Sequence, residues 1–270
     1  MFYAMAENKI DLRGYRFDHR LEDIQTLNER ALRGELHISA ISIHAYAYVS
    51  DKYALMPCGA SMGDGYGPLV VTATEVPQFD AEDDVDLKNW LRSRVIAVPG
   101  RMTSAYVALQ LYLGDFQQVV TPFDQIFDAV RSGRADAGLI IHEGQLTYAR
   151  SGFKKIVDLG EWWKNKTGLP LPLGGNVLRK DIPTATQRDI VQIMRESIDY
   201  GLAHREEAVR HSMPYARDMN PDLAGKFIGM YVNDYTRDYG ENGRAAIRQF
   251  LGDAHEAGYI DNRIEVTFVE

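Results

Sequence analysis

The sequence is poor in the residues that most metal, redox and nucleotide sites require. Its 270 residues include a single cysteine, Cys58, and neither a disulfide nor a cysteine zinc cluster can be built from one thiol. We interpret Cys58 as a small buried apolar residue rather than a nucleophile. No histidines are spaced as HxH or HxxxH, so no metal site is predicted. The glycine-rich stretch 59–68 runs into a strand instead of opening a helix, which does not fit a dinucleotide-binding loop.

Excess positive charge and long apolar runs are also lacking. The chain has 30 Lys and Arg against 38 Asp and Glu, a net charge of −8, and its cations are scattered. Binding to phosphate backbones needs clustered cations, so no nucleic-acid partner is predicted. No run approaches the ~20 apolar residues of a membrane span. The apolar start, Met1–Glu7, is too short for a signal peptide and lacks a basic beginning. We therefore expect no membrane partner and a cytoplasmic location.

The remaining composition is that of a globular protein, with 45% hydrophobic and 25% charged residues. A single core stops growing near ~250 residues, so 270 residues indicate two lobes. Short predicted strands at Arg94–Val98, Gln117–Val120 and Ala137–Ile141 alternate with helical patterns, which predicts a parallel α/β lobe. The last third is helical. A chain that leaves one lobe, builds a second and returns predicts a ligand cleft between them.

Three local predictions concern the segments around this pattern. Tyr15–His19 alternates apolar and polar residues, which is typical of a strand. The acidic stretch 77–86 predicts a solvated connector. Thr184 and Gln187 have the spacing of a capping box at a helix start.

His142 is the candidate for proton transfer. It follows the apolar run Ala137–Ile141, which predicts a strand covered on both faces. Parallel sheets bind ligands just past the carboxyl ends of such strands. Histidine titrates near neutrality and so can take or give a proton. The alternative interpretation is a core histidine that is hydrogen-bonded to a neighbour.

Hydroxyl groups follow two other predicted strands. Ser42 follows Ile41 and precedes a helix expected to run to Val49, and Thr103-Ser104 follow a turn after another strand. Helix starts offer free N–H groups and partial positive charge to anions. The alternative is that these hydroxyls only cap their own helices. Together with a histidine, they predict a site for an anionic small molecule and acid–base chemistry without a cofactor.

Several segments resemble those of the 1,4-dihydroxy-6-naphthoate synthases, which act in the futalosine route to menaquinone. The segments occur in family order along nearly the whole chain. They are Val98–Tyr106, Gly138–Glu143, Val157–Trp163, Thr167–Gly174 and Tyr231–Asn233.

The resemblance implies an α/β, two-lobed fold like that of the type II periplasmic binding proteins, with a central cleft. We expect lobe I to comprise residues 1–75 and 176–270, and lobe II residues 76–175. Family members begin with a strand and a Ser-Pro-Cys-Pro-Asn-Asp-Thr-like loop, whereas here Phe2-Tyr3-Ala4 follows Met1 directly. We therefore expect a truncated or mis-started chain whose lobe I lacks the family's first strand.

The resemblance also implies a lyase that converts cyclic dehypoxanthinyl futalosine to 1,4-dihydroxy-6-naphthoate and dihydroxyacetone. His142 matches the family's proton acceptor, and the substrate is a small-molecule carboxylate. The positions matching the family's substrate contacts are Ala40, Ile41, Ser42, Thr103 and Ser104. The family often has Thr-Thr where this chain has Thr103-Ser104, and a basic residue can replace Ala40.

Two other functions share this fold. A solute-binding protein for a small organic anion would need export or a lipid anchor, and the sequence shows neither. Chorismate dehydratase of the same pathway lacks the Ile-His-Glu histidine, so His142 argues against it. No oligomeric state is predicted.

Overall fold

The computed structural model describes residues 1–79, 84–215 and 220–270. Most of the acidic residues in the predicted connector lie outside this part of the chain. Two compact units are present. Unit 1 comprises Met1–Met62, Pro172–Gln249 and Ile264–Glu270, and unit 2 comprises Gly63–Leu171 and Phe250–Arg263. The bounds of these units differ from the predicted lobe bounds, which stay a prediction.

Helices make up much of both units. In chain order they are α1 (Tyr3–Ala6), α2 (Ile24–Leu32), α3 (Ile43–Tyr46), α4 (Val85–Arg92), α5 (Ser104–Leu113), α6 (Ile126–Arg131), α7 (Gly144–Thr147), α8 (Leu159–Thr167), α9 (Thr184–Ala203), α10 (Arg205–Ser212), α11 (Pro221–Tyr231), α12 (Asp234–Arg237) and α13 (Gly240–Glu256). Within the described residues, no helix has both the length and the apolar character needed to cross a membrane.

The strands form two sheets. They are β1 (Ile38–Ser42), β2 (Tyr53–Leu55), β3 (Ser61–Gly63), β4 (Leu69–Thr72), β5 (Val95–Val98), β6 (Gln117–Val120), β7 (Ala137–Ile140), β8 (Lys154–Asp158) and β9 (Leu171–Arg179). The sheet of unit 1 has the order β1-β9-β2, and β3 also pairs with β9. The other sheet has the order β6-β5-β7-β4-β8.

The core of unit 1 lies between its sheet and helix α9. Strand β9 runs antiparallel to β1, with Ser42 opposite Gly174, and antiparallel to β2. Ile190, Ile193 and Met194 of α9 pack against Leu178 of β9. These α9 residues form the apolar stripe expected at helical spacing, because positions three and four apart share one face of a helix.

The sheet of unit 2 is mixed. Strands β6, β5 and β7 are parallel, but β4 runs antiparallel between β7 and β8. The strands predicted to be parallel, β5, β6 and β7, are parallel, whereas β4, which precedes the predicted parallel lobe, is antiparallel to its neighbours. All four residues of β4 are buried, and an apolar run of this kind reads the same in either strand direction.

Two local predictions are wrong. Tyr15–His19 forms no strand; its Tyr15 hydroxyl donates to Asp189 Oδ2 at 2.8 Å. Alternating burial makes a strand only where a neighbouring strand supplies hydrogen bonds, and the described residues supply none here. The capping box at Thr184 is also absent, because Pro183 is the N-cap and the Gln187 side chain donates instead to the Ile182 carbonyl at 2.6 Å.

Cys58 lies in the core of unit 1 and is fully buried. Burial raises the pKa of the thiol to about 12, because an apolar interior disfavours the thiolate. This agrees with its interpretation as a structural residue.

We predict that Cys58 resists alkylation in the folded protein. A pKa raised to about 12 keeps the thiol protonated throughout pH 7–10, and only the thiolate reacts. Iodoacetamide at pH 8 should label the native chain at least about a hundredfold more slowly than the chain unfolded in guanidinium. Mass spectrometry of timed samples measures both rates, and equal rates would contradict the buried assignment.

Candidate active site

The carboxyl ends of four strands meet at one edge of the unit 2 sheet. In the parallel pair β5–β7, Ile96 lies opposite Ala137 and Ala97 opposite Gly138. Strand β6 pairs with β5 in the same direction. Strand β8 ends beside β4, with Asp158 opposite Leu69, which also faces Ile140. The segments that follow these strands therefore emerge at the same edge.

His142 stands two residues beyond the end of β7, at this edge. Its side chain is 15% exposed. The backbone N–H of Gly144 donates to His142 Nδ1 at 3.0 Å. A nitrogen that accepts a hydrogen bond must keep its lone pair, so the neutral ring carries its proton on Nε2. The backbone two residues ahead thus orients the imidazole and selects its tautomer.

Aromatic rings flank the imidazole. The centroids of Phe123 and Phe127 lie 5.8 Å from that of His142, at interplanar angles of 60° and 81°. Phe127 in turn stacks on Phe153 at 4.4 Å. Edge-to-face contacts of this kind restrict the ring plane. Glu143 Oε2 lies 3.9 Å from Nδ1, too far for a hydrogen bond but close enough to attract an imidazolium.

Thr103 is the N-cap of α5, at the same edge as His142. Its hydroxyl donates to the Gly100 carbonyl at 2.9 Å and accepts from the Tyr106 N–H at 3.2 Å. Both hydrogen-bonding functions are therefore engaged locally, as the capping alternative expects. Ser104 is the first residue of α5 and, like Thr103, is only 2% exposed.

Asp158 caps another helix at this edge. Its carboxylate accepts from the N–H groups of Gly160 and Glu161 at 2.8 and 3.1 Å. Burial raises the pKa of Asp158, because desolvation disfavours the charged carboxylate more than the two N–H groups favour it. The carboxyl group is thus occupied with its own helix, α8.

The other predicted contacts, Ala40, Ile41 and Ser42, belong to β1 of unit 1. The Ile41 side chain is fully buried in the core. Ser42 is the N-cap of α3, but its side chain makes no capping bond and the helix ends at Tyr46. The prediction of a Ser42 cap on a helix running to Val49 is therefore wrong. Thr103, Ser104 and His142 belong to unit 2, where the sheet gathers them.

Asn28 of α2 makes two hydrogen bonds with Ser42. Its Nδ2 donates to Ser42 Oγ at 3.1 Å, and its Oδ1 accepts from the Ser42 N–H at 2.9 Å. Sequence reasoning missed Asn28. The available signal is its place beside Ile24, Leu27 and Ala31 on the apolar face of α2, where a polar residue requires a partner.

A cavity of about 430 Å³ lies elsewhere, in unit 1, and contains none of the predicted site residues. Its lining includes Arg195, Arg244 and Arg248, as well as Phe268 and Glu270. Arg195 pairs with a carboxylate outside the lining at 3.1 Å. Within the described part of the chain, no three His, Cys, Asp or Glu side chains are grouped to hold a metal ion.

The fold defined by these sheets is that of the periplasmic binding proteins. An alkanesulfonate-binding protein of Xanthomonas axonopodis pv. citri superposes with a TM-score of 0.64 over 90% of this chain and 83% of that one, at 11% identity. The Escherichia coli aliphatic sulphonate binding protein gives 0.60 over 91% and 79%, at 12% identity. The predicted α/β fold class is confirmed.

The chain belongs to the menaquinone biosynthesis family, whose model matches residues 1–256. A 1,4-dihydroxy-6-naphtoate synthase of Thermus thermophilus is 37% identical over 258 residues, 96% of this chain and 90% of that protein. A Streptomyces coelicolor protein of the same name is 38% identical over 249 residues, 90% and 84% of the two chains. A solved structure from Archaeoglobus fulgidus has 42% identity and a TM-score of 0.88 over 96% and 93%. The family resemblance is confirmed.

We predict that Gly144→Ala displaces the His142 ring. A Cβ at Gly144 would lie 2.6 Å from His142 Cε1 and 2.9 Å from the Phe127 ring, closer than packed atoms approach. The variant should lose about 1–3 kcal/mol of unfolding free energy and shift the imidazole resonances of His142. Denaturant unfolding and two-dimensional NMR measure these changes.

Gly252→Ala in α13 is the matched control, because a Cβ there meets no atom within 4 Å. It should leave the His142 resonances unchanged and keep or raise stability, since alanine favours a helix over glycine by about 1 kcal/mol. Identical His142 spectra in wild type and Gly144→Ala would contradict the packing described.

Proposed function

We propose that this chain is a lyase that converts cyclic dehypoxanthinyl futalosine to 1,4-dihydroxy-6-naphthoate and dihydroxyacetone, in the cytoplasm. Membership of the menaquinone biosynthesis family and the names of the two relatives support the reaction. The observation that carries the chemistry is His142, oriented by Gly144 at the edge where the parallel strands end.

In this proposal His142 exchanges the proton of the reaction, without a cofactor. The hydrogen bond from Gly144 favours the tautomer with the proton on Nε2. In this tautomer Nε2 is a hydrogen-bond donor. The carboxylate of Glu143, 3.9 Å from Nδ1, favours a proton on that nitrogen instead. To accept a proton at Nε2, the neutral ring must first exchange its protons with water to reach the tautomer protonated on Nδ1, which gives up the bond from Gly144. The two neighbours thus set the balance between donating and accepting forms.

The substrate in this proposal is a small-molecule carboxylate. Helix α5 has ten residues, and its first turn offers the N–H groups and partial positive charge that stabilise an anion. Because the Thr103 hydroxyl is engaged by Gly100 and Tyr106, we assign the contribution of Thr103-Ser104 to the backbone N–H groups at the start of α5. Ala40-Ile41-Ser42 would contribute main-chain contacts and the Ser42 hydroxyl.

We predict that His142→Asn abolishes turnover while the substrate still binds. The asparagine amide oxygen can accept from the Gly144 N–H in place of Nδ1, but an amide cannot exchange a proton near neutral pH. Turnover of cyclic dehypoxanthinyl futalosine should fall at least about a thousandfold, within the range that a proton-transferring group contributes. Chromatography of the naphthoate product and calorimetric titration of the substrate measure the two effects.

His142→Gln separates proton transfer from simple hydrogen bonding. Glutamine extends further and can place its NH₂ donor near the position of Nε2. If His142 transfers a proton, both variants are inactive. Activity in the glutamine variant would show that the ring acts only as a hydrogen-bond donor.

The wild type distinguishes the alternative functions. Substrate binding by the wild type without product would favour a solute-binding protein, and aromatic product from chorismate alone would favour chorismate dehydratase.

A further inference from the structure

Asn28 is a buried amide whose hydrogen bonds are directed at a residue of the proposed substrate site. It is fully buried on helix α2, where a polar group costs free energy unless it is hydrogen-bonded. Both ends of its amide meet Ser42, at 3.1 Å and 2.9 Å. This two-point contact fixes Ser42 more closely than a single bond would.

The contact also determines which way the Ser42 hydroxyl works. A backbone N–H only donates, so the Asn28 atom facing the Ser42 N–H must be the amide oxygen. The amide NH₂, which also only donates, therefore faces Ser42 Oγ. Ser42 Oγ is the acceptor in that bond, and its own proton must point elsewhere. No other described residue hydrogen-bonds Ser42 Oγ.

The Ser42 hydroxyl also makes no hydrogen bond to the helix that it precedes. Ser42 has the extended backbone of an N-cap, with φ −67° and ψ 142°, yet its side chain makes no bond to α3. Thr103, in the corresponding place before α5, uses its hydroxyl both to donate and to accept within its own turn. The two hydroxyls have similar places in the sequence, but the Thr103 hydroxyl caps its helix and the Ser42 hydroxyl does not.

We propose that Asn28 is a positioning residue that presents the Ser42 hydroxyl as a hydrogen-bond donor to a carboxylate oxygen of the substrate. The identity of that substrate rests on the proposed function. The orientation of the hydroxyl rests only on Asn28 and Ser42.

Asn28→Asp tests the donor direction with almost no change of shape. A carboxylate still accepts from the Ser42 N–H, but its second oxygen also accepts, so the Ser42 hydroxyl turns toward it. KM for cyclic dehypoxanthinyl futalosine should rise at least about tenfold, with kcat changed by less than about threefold. Ser42→Ala should raise KM by a similar factor.

The double variant Asn28→Asp/Ser42→Ala should be no worse than the weaker-binding single variant, because both changes remove the same donated bond. Ser197→Ala is the matched control. Ser197 is also fully buried in unit 1, and its hydroxyl donates to the Met1 carbonyl and accepts from the Met5 N–H. The control should lower stability and leave KM unchanged. The proposal would be overturned if the rise in KM of the double variant equalled the product of the two single-variant rises, or if KM were unchanged in Asn28→Asp.

Amide hydrogen exchange tests the hydrogen bonds between Asn28 and Ser42 without any substrate. The Ser42 N–H should exchange at least about tenfold faster in Asn28→Ala than in wild type, and Asn28→Asp should restore protection. Unchanged exchange in Asn28→Ala would overturn the positioning role. If the wild type does not turn over the substrate, the proposed function fails, while the exchange rates still report on Asn28.

Discussion

The parallel pairing of β5 with β7 is the constraint on which the proposed site in unit 2 depends. Because both strands run the same way and pair residue for residue, the Thr103-Ser104 helix start and His142 emerge at one edge. Close packing of α6 on β7 maintains this arrangement. A Cβ at Gly138 would lie 2.5 Å from Ile126 Cγ2, so a larger residue would push the helix away from the strand.

Hydrogen-bond partners then separate structural polar groups from those available to a ligand. The buried Thr103 hydroxyl and the partly buried Asp158 carboxylate are both engaged with the helices they precede. The Ser42 hydroxyl accepts from Asn28 and caps nothing. A buried hydroxyl with an unused donor loses free energy unless something accepts its proton. That loss is recovered when a ligand binds, which is how a rigid site gains affinity for an acceptor oxygen.

The sequence predicted the elements with strong periodicity, because apolar spacing directly reflects burial; the β5-to-β7 region and helix α9 follow it. It also placed His142 just past a buried strand. It could not predict the direction of β4, since burial is the same in both directions. Nor could it predict that Tyr15–His19 lacks a strand partner, or that Asn28 reaches Ser42, because these depend on contacts between distant segments. The family resemblance supplied the reaction, which no periodicity contains.

The surroundings of His142, unlike the contacts between distant segments, come largely from residues next to it in the sequence. Gly144 donates to Nδ1, Glu143 lies 3.9 Å from the same nitrogen, and β7 ends just before the ring. A donor and a carboxylate thus compete for one nitrogen within three consecutive residues. Loss of the Gly144 bond would allow Nδ1 to carry the proton, and Nε2 would then accept a hydrogen bond instead of donating one. Only glycine at position 144 leaves room for the ring beside Phe127, so the same residue that selects the tautomer also permits the ring to be there.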